Sequence, residues 1–559
     1  MEVHLGDGSF RTQAWHVTKP AAAGSGGVVV AQSREAAQAG VAILEAGGNA
    51  ADAVVATAFA LAAVEPWNSG LGGVGFAVVV GATEDQGQVV DFGPIAPRRA
   101  NPADYPLTGR TSRDLFAWPE VKDARNVHGS LSFCLPSAVA GYGELWRRFG
   151  SGMPLEELLA PAIALARRGL PQDWFTTLKV SNAAPYLRLY DETARIYLRD
   201  GLPPVPPYQG APGFFPLGRL GATLEHLASA GLADFYQGDL AASLVADVRA
   251  LGGVLDETDL AACQALVGTA PVIDWRGRYL IHTAGGLTAA PTLEAVVRDM
   301  GDGPPPQEKP DPAWFAQLSR AMRSAYARRL SELGAAGTPR EPADACTTHV
   351  SAVDGAGNLV SLTTTLLSSM GSCVVLPGTG VLMNNGMMWF DPRPDSPNAI
   401  APGARPLCNM CPVIVTPVGG GWPRVAAGAS GGRRILASVY QTLAFALDFN
   451  MSAGAAAHHP RIDVSGPDIT HVDRDLPPSV IEALRADGPV EVVERSVLPI
   501  NFACPNHVRA EDGWAEGCSD VGSPWSGAVT AVAPTAARRR PAPDSDHRPS
   551  RLGRQDLTS

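Results

Sequence analysis

The chain has 559 residues, 45% hydrophobic and 18% charged, which suits one large globular unit or several ordinary domains. A formal net charge of -11 and a pI near 5.5 argue against nucleic acid or an anionic membrane surface as the main partner. Eight cysteines, sparse and without paired spacing, argue against a disulfide framework. The N-terminal stretch MEVHLGDGSFRTQAWHV lacks a basic segment followed by an apolar one, so no ordinary signal peptide is expected. The apolar runs 53–64 and 75–80 are too short to span a bilayer. The expectation is a cytoplasmic protein with neither membrane nor nucleic acid as a partner; a lost leader leaves a periplasmic location open.

In chain order, GVVVAQ at 27–32 reads as a buried strand, and Ser33 as the N-cap of a helix closed by Gly47-Gly48. Small residues at 50–64 predict a second, closely packed helix. The run WNSGLGGVGF then predicts a tight turn into a strand at 76–80; it lacks the lysine of a phosphate-binding loop. Helical spacing recurs at 155–168 and 217–251, strand character returns at 272–283, and a Pro-rich connection at 302–312 precedes a helix at 313–333. Strands are expected at 350–353, 359–366, 374–375 and 413–416, the first two joined as an antiparallel hairpin by the turn DGAGN. A helix at 434–449 follows the loop GASGG. From residue 534 apolar residues nearly vanish and six arginines face three aspartates, predicting a basic, disordered tail. Strands between helices suit a layered protein of mixed α and β structure.

Three motifs carry candidate chemistry. Cys408-Asn-Met-Cys411 has the spacing of a metal or redox pair, but no second such pair follows, which favours two buried thiols. Gly428-Ala-Ser430-Gly-Gly432 fits the nucleophile elbow of a serine hydrolase, with a strand before it and a helix after it. Asp463, Asp468, His471 and His507 are then the available partners; the plain alternative is a glycine turn presenting N–H groups at a helix start. The third motif is Cys346-Thr347-Thr348-His349, at the head of the strand pattern TTHVSAVDGAGNLVSLTTT. A break before Thr347 would give one residue both a hydroxyl and an N-terminal amine, a recognised route to a competent alcohol nucleophile.

That last stretch, with PGTGVLMNN, RPL-x-x-M-x-P, G-x-x-GG-x-R, EAGGNAADAVVATAFAL, EPWNSGLGGVGF, DFGPIAPRRA and FYQG, closely resembles the γ-glutamyltranspeptidase family of N-terminal nucleophile hydrolases. The resemblance runs from about residue 27 to about residue 520, in preserved order. It implies an α+β fold, the αββα sandwich of two stacked, mainly antiparallel sheets between helical layers. It implies self-cleavage between Cys346 and Thr347, leaving a large subunit 1–346 and a small subunit 347–559 held together as a heterodimer. By the same resemblance Thr347 is the nucleophile, Thr365 orients it, and Gly431 and Gly432 form the oxyanion hole. No metal or organic cofactor is implied. The α-amine, with an ordinary pKa of about 7.7–8.0, would serve as base near neutral pH.

The substrate-binding positions depart from the family pattern. The arginine of D-[FY]-R-E-x-A-P is Gly93, and the asparagine two places after the orienting threonine is Leu367. In N-N-[EQ]-M-D-D the chain has Gly386, Met388 and Trp389, and the serine pair of R-P-L-S-S-M-S-P is Cys408-Asn409. Leu367 and Trp389 cannot pair with an ammonium, so an acyl chain lacking the α-amine, glutaryl, is expected to fit better than γ-glutamyl. The expected activity is deacylation of small glutaryl amides such as glutaryl-7-aminocephalosporanic acid, as in the transpeptidase-like cephalosporin acylases. Alternatives are a γ-glutamyltranspeptidase or glutathione hydrolase, a serine hydrolase using Ser430, and a non-catalytic binding homologue. Arg98, Arg99, Arg405 and Asn409 are the candidates for the acyl carboxylate.

Overall fold

A computed structural model describes residues 17–111, 118–301, 308–333, 345–466 and 469–533. The expected tail from 534, most of the Pro-rich connection at 302–312 and Asp468 lie outside the described residues. Before residue 300 the chain supplies β1 (Ala22–Gly24), β2 (Gly27–Ala31), β3 (Val74–Val80), β4 (Gln88–Phe92), β5 (Leu266–Thr269), β6 (Val272–Trp275) and β7 (Tyr279–Thr283). After it come β8 (Ala345–Asp354), β9 (Leu359–Ser368), β10 (Val413–Pro417), β11 (Arg424–Ser430), β12 (Cys504–Glu511), β13 (Trp514–Ser519) and β14 (Gly527–Thr530).

These build two seven-stranded sheets. One has the order β14-β2-β8-β9-β3-β4-β5, the other β1-β13-β12-β11-β10-β7-β6. Every pairing within them is antiparallel. Side-chain alternation explains the layering. Val28, Val30, Val353, Ile414, Ala426 and Val508 fill the space between the sheets. Their neighbours Val29, Ala31, Val350 and Ala352 face outward, where α1 (Arg34–Glu45), α2 (Ala50–Val64), α3 (Leu155–Arg168) and α4 (Trp174–Leu187) cover the first sheet. The outer face of the second sheet, with Val413, Val415 and Val425, packs under α5 (Ala290–Asp299), α6 (Pro312–Glu332) and α7 (Ile435–Leu447). This is the expected αββα sandwich.

Local chemistry sets the boundaries of the helices beside the site. Ser33 caps α1 by accepting the Ala36 N–H, and Gly47 follows the helix at φ +97°. Asn49 and Asp52 form a capping box on α2, whose fifteen residues are all buried. The chain leaves α2 at Glu65 and runs through Trp67 and Asn68 into β3, with Asn68 O accepting the Leu366 N–H of β9.

Candidate active site

Thr347 lies near the head of β8, a central strand, and is 4% exposed. Cys346 pairs with Leu367 and Thr348 with Thr364, so two residues of β9, Thr365 and Leu366, stand opposite Thr347 alone. This irregularity interrupts the ladder at the nucleophile candidate. Leu367 takes the consequence at φ +89°, a conformation rare for a side-chain-bearing residue. The displaced backbone is still satisfied: the Leu366 N–H donates to Asn68 O at 2.9 Å, and the Asn385 N–H donates to Leu366 O at 3.1 Å. Thr347 Oγ1 donates to Thr365 Oγ1 at 3.3 Å, and Thr365 Oγ1 accepts the Leu367 N–H at 2.8 Å. The threonine pair singled out from sequence is thus brought together.

A pocket beside Thr347 is lined by Gly431 and Ser430 at the end of β11, by Gln32, Glu65 and Asn68, and by Lys179 of α4. Gly431 has φ +134°, and a Cβ there would stand 2.7 Å from Ala503 Cα, so both conformation and space demand glycine. Gly432 follows at φ +58° and opens the short turn that leads into α7. The Ser430 hydroxyl accepts a close hydrogen bond from the Gln32 amide. No histidine bonds it among the described residues: the His507 ring is wholly buried, with a pKa lowered to about 4 by burial, and His471 pairs with Glu491. Asp463 accepts from Ser465 at 2.6 Å.

Several of the positions expected from sequence to bind substrate fall in one apolar cluster. Leu367, Met388, Trp389 and Cys408 pack with Val74, Phe76, Trp118, Leu407 and Met410. Gly386 sits where a Cβ would lie 2.6 Å from Cys134 Sγ. A Cβ on Gly93 would meet the Phe76 ring at 2.4 Å and the Arg405 guanidinium at 2.7 Å. Arg405 forms a close ion pair with Asp91, which also accepts the Gly93 N–H at 2.9 Å. Arg98 and Arg99 are exposed. Asn409 Oδ1 accepts from the buried Arg329, which also donates to Cys408 O at 2.6 Å. Burial pushes the Cys408 and Cys411 thiols up to about 12, so both remain neutral. Among the described residues no group of three His, Cys, Asp or Glu side chains is arranged to hold a metal ion.

Sequence reasoning missed a polar cluster on the pocket wall. Asn68 Nδ2 donates to Glu65 Oε1 at 2.6 Å and reaches Gln32 Oε1 at 3.4 Å. Burial raises the Glu65 carboxyl to about 7, with the Thr348 hydroxyl, the Lys179 ammonium and the Asn68 amide holding it from rising further. Thr348 lies against Glu65, yet neither Glu65 Oε2 nor Thr348 Oγ1 completes a hydrogen bond of normal geometry among the described residues. Glu65 and Asn68 lie in the run EPWNSGLGGVGF, which the sequence reading used for its glycine turn and for the family resemblance without giving either residue a role. Lys179 carried no signal.

The layered fold with a hydroxyl residue at the head of a central strand defines the class. A crystal structure of cephalosporin acylase from Bacillus halodurans has the same N-terminal nucleophile hydrolase fold, with a TM-score of 0.78 over 93% of this chain and 98% of that one at 22% identity. The chain belongs to the γ-glutamyltranspeptidase family of hydrolases and transpeptidases, whose model matches residues 36–343 and 311–522. The Acylase ACY 1 proenzyme of Pseudomonas sp. (strain SE83) is 31% identical over 507 residues, 84% of this chain and 88% of that protein. The Glutathione hydrolase proenzyme of Escherichia coli (strain K12) is 27% identical over 523 residues, 83% and 85% of the two chains.

Proposed function

We propose that this chain cuts itself before Thr347 and then uses the freed threonine to hydrolyse glutaryl amides. The observation that carries the reading is that the Thr347 hydroxyl bonds Thr365 and lines a pocket with Gly431, while the neighbouring Leu367 belongs to an apolar cluster with Trp389. The names of the two relatives, an acylase proenzyme and a glutathione hydrolase proenzyme, support a cut precursor and acyl chemistry on small amides.

The chemistry follows from these positions. The Thr347 amine takes the Oγ proton as Oγ attacks the substrate carbonyl, and the N–H groups of Gly431 and Gly432 receive the oxyanion. The leaving amine takes the proton back, an acyl ester remains on Oγ, and water releases the acid. Thr365 holds the hydroxyl in line. An ammonium on the acyl chain would be buried against Leu367, Met388 and Trp389, at a cost of roughly several kcal/mol without a counter-charge. A glutaryl chain carries no such group. Arg405, which stands at Gly93 and is ion-paired with Asp91, is the guanidinium we assign to its free carboxylate.

A γ-glutamyl amide is the second reading, favoured by the likeness to the glutathione hydrolase. Denaturing gels and two anilides separate these ideas. The wild type should give two fragments, Thr347→Ala one, and Ser430→Ala two. Glutaryl anilide should be turned over faster than γ-glutamyl anilide. The reverse order would refute the role given to Leu367 and Trp389, and an intact, active chain would refute the nucleophile.

A further inference from the structure

Self-cleavage poses a chemical problem that the mature enzyme does not have. Before the cut, the Thr347 nitrogen is a peptide N–H with no lone pair to offer, so it cannot serve as the base. Another group must take the hydroxyl proton. Among the described residues, the pocket that Thr347 lines holds one carboxyl, Glu65, which is 2% exposed at the C-terminal end of α2. One of its oxygens is held by Asn68; the other, Oε2, has no hydrogen-bond partner of normal geometry among the described residues, and the hydroxyl of Thr348, the next residue along from Thr347, is close enough to the carboxyl to lower its pKa. A buried carboxyl oxygen without a well-formed hydrogen bond is costly, and a catalytic role is one reason for such a group to be kept.

We infer that Glu65 is the proton acceptor for the first step of self-cleavage, reached from Thr347 across their shared pocket by way of the Thr348 hydroxyl or one water. The inference rests on the self-cleavage reading above. Glu65 takes the Thr347 Oγ proton as Oγ bonds to the Cys346 carbonyl carbon. The Cys346–Thr347 C–N bond then breaks, its nitrogen receives that proton, and an ester joins Cys346 to Thr347 Oγ. Water hydrolyses the ester, leaving the Cys346 carboxylate and the free amine of Thr347. The base of the precursor thus hands its task to the base of the mature enzyme.

The groups around Glu65 make the idea testable by pH. Lys179 reaches it from α4, Thr348 from β8 and Asn68 from the loop after α2, while the Cys504 thiol in the same pocket is pushed up to about 12 and stays neutral. With its carboxyl raised to about 7, Glu65 should give the cleavage rate a rising limb through neutrality. The Lys179 ammonium lowers that value, so its removal should carry the limb to higher pH.

Cleavage of the full chain is followed by denaturing gel and intact mass from pH 5 to 9. Glu65→Gln should cleave about 10²–10⁴-fold more slowly and lose the limb, and Glu65→Asp should recover part of both. Lys179→Met should keep the limb but displace it upward, a result that does not depend on whether Glu65→Gln folds; thermal melting checks that point. A Glu65→Gln chain with the wild-type rate and profile overturns the inference, as does a Lys179→Met profile that superposes on wild type. A wild-type chain that never cuts sinks the self-cleavage reading as well, and is recognised by that.

Discussion

At Gly431, conformation, space and proposed chemistry meet in one residue. Its φ of +134° and the 2.7 Å from a would-be Cβ to Ala503 Cα leave no room for alanine without moving β11 or its neighbour. Because the adjacent N–H groups are the proposed oxyanion donors, Gly431→Ala should lower kcat for glutaryl anilide by about 10²–10³, measured on cleaved enzyme. Leu367 and Trp389 govern selectivity instead. Replacing them together, Leu367→Asn with Trp389→Asp, returns a counter-charge for an ammonium to the shell. The ratio of γ-glutamyl to glutaryl turnover should rise by at least about tenfold, a shift of roughly 1.4 kcal/mol. An unchanged ratio would mean that the acyl chain lies elsewhere.

At the scale of elements, two close approaches hold the frame of the site. A Cβ on Gly40 of α1 would lie 2.2 Å from Thr57 Oγ1 and 2.8 Å from the Ala53 carbonyl oxygen, so α1 and α2 touch almost backbone to backbone. Gly40→Ala should therefore destabilise the chain by about 1–3 kcal/mol despite its better helix propensity, read as a lower midpoint in urea. Past the end of β13, Asp520 pairs closely with the fully buried Arg461 and lies near Arg495. Burial alone would raise the Asp520 pKa, but the two guanidiniums more than offset it and hold it below the usual aspartate value. A depressed native pKa gives stability that is present above the unfolded value of about 3.9 and is lost as pH falls through the lower native one. Asp520→Asn should melt at a lower temperature than wild type at pH 6, and the gap should narrow as pH falls below about 4. A gap that stays constant with pH would remove the ion pair from the account.

Over the whole molecule, the proposed cut divides sequence but not structure. The sheet order β14-β2-β8-β9-β3-β4-β5 draws β9, β14 and all but the first two residues of β8 from beyond residue 346, and the other sheet draws four strands. Neither half owns a complete sheet, and the core between the sheets mixes Val28 and Val78 with Val353 and Val508. Residues 1–346 and 347–559 should consequently co-elute in size exclusion after cleavage and separate only in denaturant. Fragments that part in native buffer would contradict this arrangement.

Periodicity and capping chemistry made much of this legible. Residues 50–64 and 155–168 form helices at the expected ends, Ser33 caps as expected, and DGAGN joins two antiparallel strands. Local patterns decide such elements because each turn or cap is satisfied within a few residues. The strand expected from 350 in fact begins at Ala345, and α4, with Pro185 inside it, went unread. The ordered motifs by themselves determined the family and singled out the threonine proposed as nucleophile. Only tertiary structure decided that Leu367 takes a left-handed backbone conformation, that Arg405 stands at Gly93, and that Glu65 and Lys179 share a pocket with Thr347. Burial and charge at those points come from segments distant along the chain, and no local pattern encodes which of them the packing of helices on sheets will bring together.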